Sequence, residues 1–351
     1  MSSDTLHAAV QAAIAASTDP PWPDDAFDAL ARALFAHQFA GCAPYAGFCR
    51  GRGVTPESLT DYRAIPAVPT DVFKTVALAT FPPEEAVATF LTSGTTVGTR
   101  GRHLLRRLDT YEASLAPWLR RWLVDDETPL VLALAPSFAD DPASSLGFMI
   151  SWAVEHVGIA GSRHCFTGNG PDLSAFEAAV DSSPGPVLVL ATARALQHAL
   201  ETRLDRGTLP LPPGSLVMET GGFKGAARTL SREDFYEGLA VGFAIPESAI
   251  VSEYGMTELA SQGYARGQRA LRFPPWCRVG AVDPDTLTLL PDGERGLLRF
   301  WDLANVDSVL AVQTADVGVV TPDGVLLEGR APGSTPRGCS LAVDEILRAA
   351  R

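Results

Sequence analysis

The sequence predicts a layered α/β fold with a largely parallel sheet. Two observations carry this: short apolar runs recur along the chain, and helical patterns lie between them. The runs are 129–137 (PLVLALAPS), 187–192 (VLVLAT), 215–219 (SLVME) and 249–253 (AIVSE). Each has the length of a strand and is apolar enough to be covered on both faces. Segments 144–157, 172–181, 194–206 and 231–240 carry the helical period, as does 25–40 (DAFDALARALFAHQFA). Ser231, with Asp234 three residues on, resembles a capping box with Asp in place of Glu. Strands alternating with amphipathic helices imply crossover units and a parallel sheet.

After about residue 270 the texture changes. Residues 278–330 contain the strand-like runs RVGAV, TLTLL, GLLRF, SVLAVQT, VGVV and VLLEG, with PDG turn signals at 291–293 and 322–324. The expected organisation is therefore an α/β core over 1–270, a small β-rich subdomain over 271–330, and a short hinge and tail over 331–351.

With 351 residues and 46% hydrophobic content, the chain has material for a sizeable core. A formal charge of −13 argues against duplex nucleic acid as a partner, because phosphate contacts need a dense Lys/Arg face. The start, MSSDTLHAAVQAAIAASTDP, carries Asp4 and no basic residue, so it reads as an amphipathic helix rather than a signal peptide. No run is long and apolar enough for a membrane span. The five cysteines are scattered, odd in number and without zinc-ligand spacing, which fits reduced thiols and a cytoplasmic location. The histidines show no ligand spacing; core or surface placement is expected even for His103 and His164, which lie near glycine-rich segments.

Four segments carry candidate chemistry. The first is 91–102 (LTSGTTVGTRGR), dense in hydroxyls and glycines and followed by basic residues. Glycines let the backbone aim N–H groups at an anion and hydroxyls add donors. It is not a Walker loop, and taken alone it fits an ordinary turn between strand and helix equally well. The second is Glu253-Tyr254-Gly255-Met256-Thr257-Glu258, at the end of an expected strand, where doubly wound sheets bind ligands. Its bland reading is a strand end with a solvated Glu. The third is Thr220-Gly221-Gly222-Phe223-Lys224-Gly225; its glycines permit close approach of a flat ligand, and Lys224 offers a charge. The fourth is Gln313-Thr314-Ala315-Asp316-Val317-Gly318, followed by Gly329-Arg330, with Asp316 either a ribose acceptor or a turn residue.

In this order the four segments resemble the adenylate-forming superfamily of acyl-CoA synthetases, peptide-synthetase adenylation domains and luciferases. Within it the sequence is most similar to the acyl-protein synthetase (LuxE) family, through METGGFKG (218–225), VSEYGMTELASQ (251–262), WDLANVDSVLAVQTADVG (301–318) and GRAPGSTPRGCSLAVDE (329–345). The resemblance implies an adenylate-forming core, with ATP and Mg²⁺ as cofactors. It implies that Thr92, Ser93, Gly94, Thr95 and Thr96 hold the β- and γ-phosphates of ATP. Gly221, Gly222, Tyr254 and Gly255 would border adenine, Thr257 would meet the α-phosphate, Glu258 the Mg²⁺, and Asp316 the ribose hydroxyls with Arg330 nearby. Two departures stand out. Val97 replaces a customary Gly, and Arg100 or Arg102 a customary Lys. The superfamily also carries a C-terminal lid with a Lys used in adenylation; no counterpart follows Arg330, so Lys224, an Arg or a partner is expected to supply that charge.

The implied reaction is activation of a carboxylic acid, fatty by the family likeness, to an acyl-adenylate, followed by transfer to a protein thiol. The family supplies acyl groups to a reductase, so an acyl-acceptor protein, carrier protein or acyl reductase is the expected partner. Cys339, in PRGCS with Arg337 beside it to lower its pKa, is the candidate acyl acceptor; its alternative is a packed cysteine at the start of the tail helix. Delivery to coenzyme A or a carrier thiol, and a non-catalytic nucleotide-binding subunit, are the competing readings. Candidate acyl-pocket residues lie in 144–152 (SSLGFMISW) and near Gly263-Tyr264.

Overall fold

The computed structural model describes residues 1–16, 22–92, 100–203, 207–221, 231–331 and 336–350. Its contacts separate the chain into two units, Met1–Pro117 with Met256–Gln262 and Arg272–Arg351, and Trp118–Gly255 with Gly263–Leu271.

The second unit is built on a six-stranded sheet. Its strands run in the order Gly263–Arg266, Ile250–Tyr254, Leu216–Thr220, Val187–Thr192, Leu130–Leu134, Arg163–His164. All neighbours are parallel except the first pair, which is antiparallel. The four expected strands are the four central ones. Their side chains are buried almost without a break, as strands covered on both faces must be. Helices Ser145–His156, Leu173–Asp181, Ala193–Arg203 and Arg232–Phe243 follow the predicted periods. Ser144, Asp172, Thr192 and Ser231 each accept a backbone N–H three residues on, at 2.9, 3.0, 3.2 and 3.0 Å, so all four helices start on a side-chain cap.

The first unit holds a five-stranded sheet in the order Val68–Pro69, Ala311–Thr321, Arg295–Asp302, Cys277–Val282, with Gly324–Arg330 also pairing with Ala311–Thr321. A separate hairpin joins Ala88–Leu91 to Arg102–Leu105. Helices Ser3–Ala16, Asp24–Gly41, Ala43–Gly51 and Arg337–Ala349 complete it. Among the described residues no helix is long and apolar enough to cross a membrane.

Three expectations are corrected here. The division of the chain is not linear at residue 270. Val68–Pro69 pairs parallel with Val312 and Gln313, and residues at the N-terminus bond to Asp307, so the first 117 residues belong with the β-rich region. SVLAVQT and VGVV are not two strands but parts of one, Ala311–Thr321, with a register shift at Val317/Gly318 that lets it bend. TLTLL is a turn region with a single bridge, Val282 to Leu289, because Leu287 adopts a left-handed φ of 58° that no strand accommodates.

Asp307 organises the N-terminal helices. Its carboxylate accepts hydrogen bonds from Ser3 Oγ (2.8 Å), His7 Nε2 (2.8 Å), His37 Nε2 (2.9 Å) and Thr80 Oγ1 (2.7 Å). Burial alone would raise its pKa, but these donors hold the carboxyl well below the usual range. A depressed carboxyl stabilises the fold above the ordinary carboxylate range, and that contribution is lost as pH falls below it. Asp307→Ala strands two histidines and two hydroxyls, and is expected to lower the unfolding free energy by about 3–5 kcal/mol at pH 7. Urea denaturation measures this, and the difference from wild type should shrink as the pH is taken below about 4.

Candidate active site

In the first unit the strands on either side of the hydroxyl- and glycine-rich segment, Ala88–Leu91 and Arg102–Leu105, pair antiparallel, so a strand and not a helix follows it. Thr92 closes its base. Thr92 N donates to Gly101 O at 2.9 Å, and Gly101 N donates back to Thr92 Oγ1 at 2.8 Å. A Cβ on Gly101 would lie 2.9 Å from Thr92 Cγ2, so the close approach needs glycine there. Arg100 is spent on the same base: Nε donates to Thr92 O (2.6 Å) and Nη2 to Leu91 O (3.1 Å). Ser93, Gly94, Thr95, Thr96 and Val97 lie outside the described residues.

The segment Met256–Gln262 docks on this hairpin. Thr257 Oγ1 donates to Leu91 O at 3.4 Å, and His103 Nδ1 donates to Thr257 O at 2.7 Å. Complete burial pushes the His103 pKa down to about 4, only partly offset by that bond, so the ring is neutral with Nε2 unprotonated. His103 therefore has a structural role at the site, although its sequence context pointed only to core or surface. Behind the segment stands Asp302, fully buried, accepting Ala260 N (2.8 Å) and Ser261 Oγ (2.7 Å). Burial raises its carboxyl to about 6, against those bonds. Asn305 Nδ2 donates to Glu258 O at 2.9 Å and fixes the next residue along. Asp302 and Asn305 were inside a quoted motif, WDLANVDSV, without a role. An acidic residue buried in an otherwise apolar run was the available signal.

Glu258 is 6% exposed. Beyond its own backbone N–H, its carboxylate has no hydrogen-bond donor among the described residues. Burial drives its pKa up to about 7; Arg330 and Lys74 pull it down, and Asp316 pushes it up. Asp316 and Arg330 lie on the sheet, and Lys74 ends the short 3-10 helix Thr70–Lys74. Asp316 pairs across the strands with Arg330, Oδ1 to Nε 3.4 Å, and its N–H donates to Thr314 Oγ1 at 3.1 Å. Asp316 is thus in mid-strand, beside the register shift, rather than at a strand end or in a turn.

In the second unit, Gly221 and Tyr254 end adjacent parallel strands, since Glu253 pairs with Thr220. Gly221 has φ 88°, a conformation that glycine takes without strain and that turns the chain away from the sheet. Gly255 is exposed just beyond Tyr254. This is the carboxyl edge of a parallel sheet, where ligands bind. Gly222 and Lys224 lie outside the described residues. Glu253, whose bland reading was a solvated strand-end residue, is buried; it accepts a short hydrogen bond from Thr220 Oγ1. Burial raises its pKa to about 7, with Thr220 opposing and neighbouring Glu219 adding. Glu219 accepts from Tyr236 Oη at 3.0 Å, so two carboxylates sit at one strand edge. Of the acyl-pocket candidates, Tyr264 and Met149 are brought together, Oη to Sδ 3.6 Å, both buried.

Cys339 is buried in the first turn of helix Arg337–Ala349. Burial pushes its thiol up to about 11, and the cation that works against this is Arg299, not the expected Arg337.

Among the described residues there is no group of three or more His, Cys, Asp or Glu that could hold a metal by itself. Glu258 nevertheless fits a divalent cation that is completed by substrate. It is a buried carboxylate with no hydrogen-bonded counter-ion, and Mg²⁺ commonly uses one or two carboxylates with phosphate oxygens and water.

Without nucleotide, Glu258 should cost stability at high pH. A carboxyl whose folded pKa is raised binds its proton more readily folded than unfolded, so its penalty is full above about 7 and fades toward the unfolded value. Glu258→Gln is expected to raise the unfolding free energy by about 2–3 kcal/mol at pH 8 and by under about 1 kcal/mol at pH 5. Paired denaturation curves at the two pH values test this, and a gain equal at both would contradict it.

The acyl-protein synthetase, LuxE, family model matches residues 196–348. The chain is 24% identical over 345 residues to a long-chain-fatty-acid–luciferin-component ligase of Vibrio harveyi, covering 91% of this chain and 88% of that protein. An open-conformation crystal structure of 2-hydroxyisobutyryl-CoA ligase, in complex with 2-HIB-AMP and CoA, superposes with a TM-score of 0.63 at 16% identity, over 88% of this chain and 68% of that one. ATP-bound MatB from Rhodopseudomonas palustris superposes with a TM-score of 0.52 at 17% identity, over 73% of this chain. The chain spans half the length of MatB, 50%. At these identities the two structures establish the fold.

Proposed function

We propose that this chain, whose residues 196–348 match the acyl-protein synthetase, LuxE, family model, activates a carboxylic acid with ATP and passes the acyl group to a thiol. The observation that carries the reading is the docking of Thr257-Glu258 on the Thr92 hairpin, with Glu258 buried and within the field of Asp316 and Arg330. A hydroxyl, a carboxylate awaiting a cation, and a loop rich in N–H and O–H donors are what two anions need in order to meet.

The acid's carboxylate oxygen attacks the α-phosphorus of ATP. A new O–P bond forms, the bond from the α-phosphorus to the bridging oxygen breaks, and pyrophosphate leaves with that electron pair. Thr92, Ser93, Gly94, Thr95 and Thr96 hold the β- and γ-phosphates; Thr257 donates to the α-phosphate. Glu258 would hold Mg²⁺, which when bound would offset phosphate charge. Gly221, Gly222, Tyr254 and Gly255 border adenine, and Asp316 accepts from the ribose hydroxyls with Arg330 beside it. Lys224 supplies cationic charge to the reacting phosphate. In the second step a thiolate attacks the acyl carbon, the C–S bond forms, and AMP departs with the electrons of the C–O bond.

The acid is a long-chain fatty acid, following the name of the Vibrio harveyi relative. The thiol is Cys339 or one on another molecule. The buried, weakly acidic state of Cys339 favours an acceptor on a protein partner, a carrier or coenzyme A unless helix Arg337–Ala349 moves.

Exchange of labelled pyrophosphate into ATP with Mg²⁺ and a panel of fatty, aromatic and amino acids is expected to respond to fatty acids. ATP binding without exchange for any acid would overturn the reading. Glu258→Gln is expected to lower exchange about a hundredfold or more. Asp316→Ala is expected to raise the KM for ATP more than it lowers kcat. Cys339→Ala should leave exchange unchanged; a labelled acyl-enzyme band that survives it assigns the acceptor elsewhere.

A further inference from the structure

In the first unit lies a cavity of about 310 Å³ that the reading above does not use. Its wall includes Arg52, Arg63, Arg299, Ile65, Leu287 and Leu289. Three guanidinium groups thus share a hollow whose remaining surface is largely apolar. Two of them are matched by carboxylates outside the hollow. Arg52 Nε meets Glu345 at 2.8 Å, and Arg63 meets Asp61 at 3.0 Å and Asp24 at 3.2 Å.

Arg299 is different. It is 8% exposed and makes no ion pair among the described residues. Nε donates to Gln313 Oε1 at 3.0 Å and Nη2 to Leu287 O at 2.9 Å, both neutral acceptors. Nη1 makes no hydrogen bond among the described residues. The ring of Trp301 lies 5.9 Å from its guanidinium carbon. Among ionised groups Arg52, a like charge, acts on it most strongly; with burial as the larger cause, this brings its pKa down to about 10. A buried cation facing a second cation, without an anion, is an arrangement a fold does not keep for stability.

The wall itself is held under strain. Leu287 sits at φ 58°, unusual for a leucine, with its N–H bonded to Asp283 O at 2.9 Å and its carbonyl turned onto Arg299. The strained backbone thus fixes one edge of the guanidinium and leaves Nη1 free, the edge that meets an oxyanion. The volume exceeds what a bare phosphate fills and reaches the lower bound of small-molecule sites.

We propose that this cavity binds a small molecule through a terminal oxyanion, carboxylate or phosphate, seated on Arg299, with an apolar body against Ile65, Leu287 and Leu289. It is a site separate from the Thr92 hairpin and the Thr257-Glu258 segment. Arg299 supplies the planar fork and Arg52 adds charge at the mouth.

The test uses the full chain labelled with 5-fluorotryptophan, the Trp301 ¹⁹F resonance being assigned with Trp301→Phe. Inorganic phosphate and octanoate are titrated separately at constant ionic strength, with sodium chloride as control. A saturable shift of the Trp301 signal is expected with at least one of them and not with chloride. Saturation by phosphate alone makes the anion a phosphate; saturation by octanoate makes it a carboxylate on an apolar chain. In Arg299→Gln the affinity should fall at least tenfold. Arg299→Lys keeps the buried charge, guards against a variant that fails to fold, and should still weaken binding several-fold because the fork is gone. The proposal is overturned if neither probe gives a saturable shift, or if Arg299→Lys binds as tightly as wild type.

Discussion

The anchoring of Met256–Gln262 by Asp302 is the constraint on which the rest of the site depends. That segment carries the hydroxyl of Thr257 and the carboxylate of Glu258, yet in sequence it lies between two runs of the other contact unit. Nothing in its own composition would hold it to the hairpin. Asp302 does so from behind by accepting Ala260 N and Ser261 Oγ, Asn305 by donating to the Glu258 carbonyl, and His103 by donating to that of Thr257. Each partner is buried, so each bond offsets the hydration that its groups lose on folding. Thr257 and Glu258 are thereby positioned through their own carbonyls, which leaves the Glu258 carboxylate with no donor but its own backbone N–H among the described residues.

The segment proposed to bind is marked in the sequence by its motif, while the residues that hold it are not. The central strands were legible because a parallel sheet covered on both faces demands continuous apolar runs, and Val187–Thr192 is such a run. Thr257, Glu258 and Asp316 were legible as parts of ordered motifs. Two of the failures share a cause: the deciding partner is distant in sequence. Val68–Pro69 gives no strand signal by itself and becomes one by pairing with Val312 and Gln313. Glu253 looked like a solvated strand end because its burial depends on neighbouring strands, not on its own run. TLTLL has the composition of a strand, but Asp283 just before it accepts the N–H groups of Asp285 and Thr286, and the Arg299 contact to the Leu287 carbonyl holds the turn from strand Arg295–Asp302.

Two buried carboxylates in the first unit have opposite settings. Asp307 is surrounded by four donors, and its charge is stabilised in place. Glu258 has the opposite setting, buried with few donors and raised to about 7. A fold at equilibrium gains from the first and loses from the second. The same loss at Glu258 is what a cation would recover, because desolvation strengthens its attraction to an unpaired carboxylate.

Arg299 extends this reasoning to positive charge. Its burial beside Arg52 carries a cost of the same kind as Glu258's, and it is likewise a charge whose nearest hydrogen-bond partners are neutral. The two sites differ in their surroundings. Glu258 lies among ionised groups of both signs, Arg330, Lys74 and Asp316, suited to a highly charged substrate with its cation. Arg299 lies in a hollow whose other lining combines Arg52 and Arg63 with apolar side chains, suited to a ligand with a charged end and an apolar body. Arg299 is also the cation that favours the thiolate of Cys339, so an anion seated on it would weaken that support. Occupancy of the cavity and ionisation of the thiol are then linked through one guanidinium, and linkage of this kind is reciprocal.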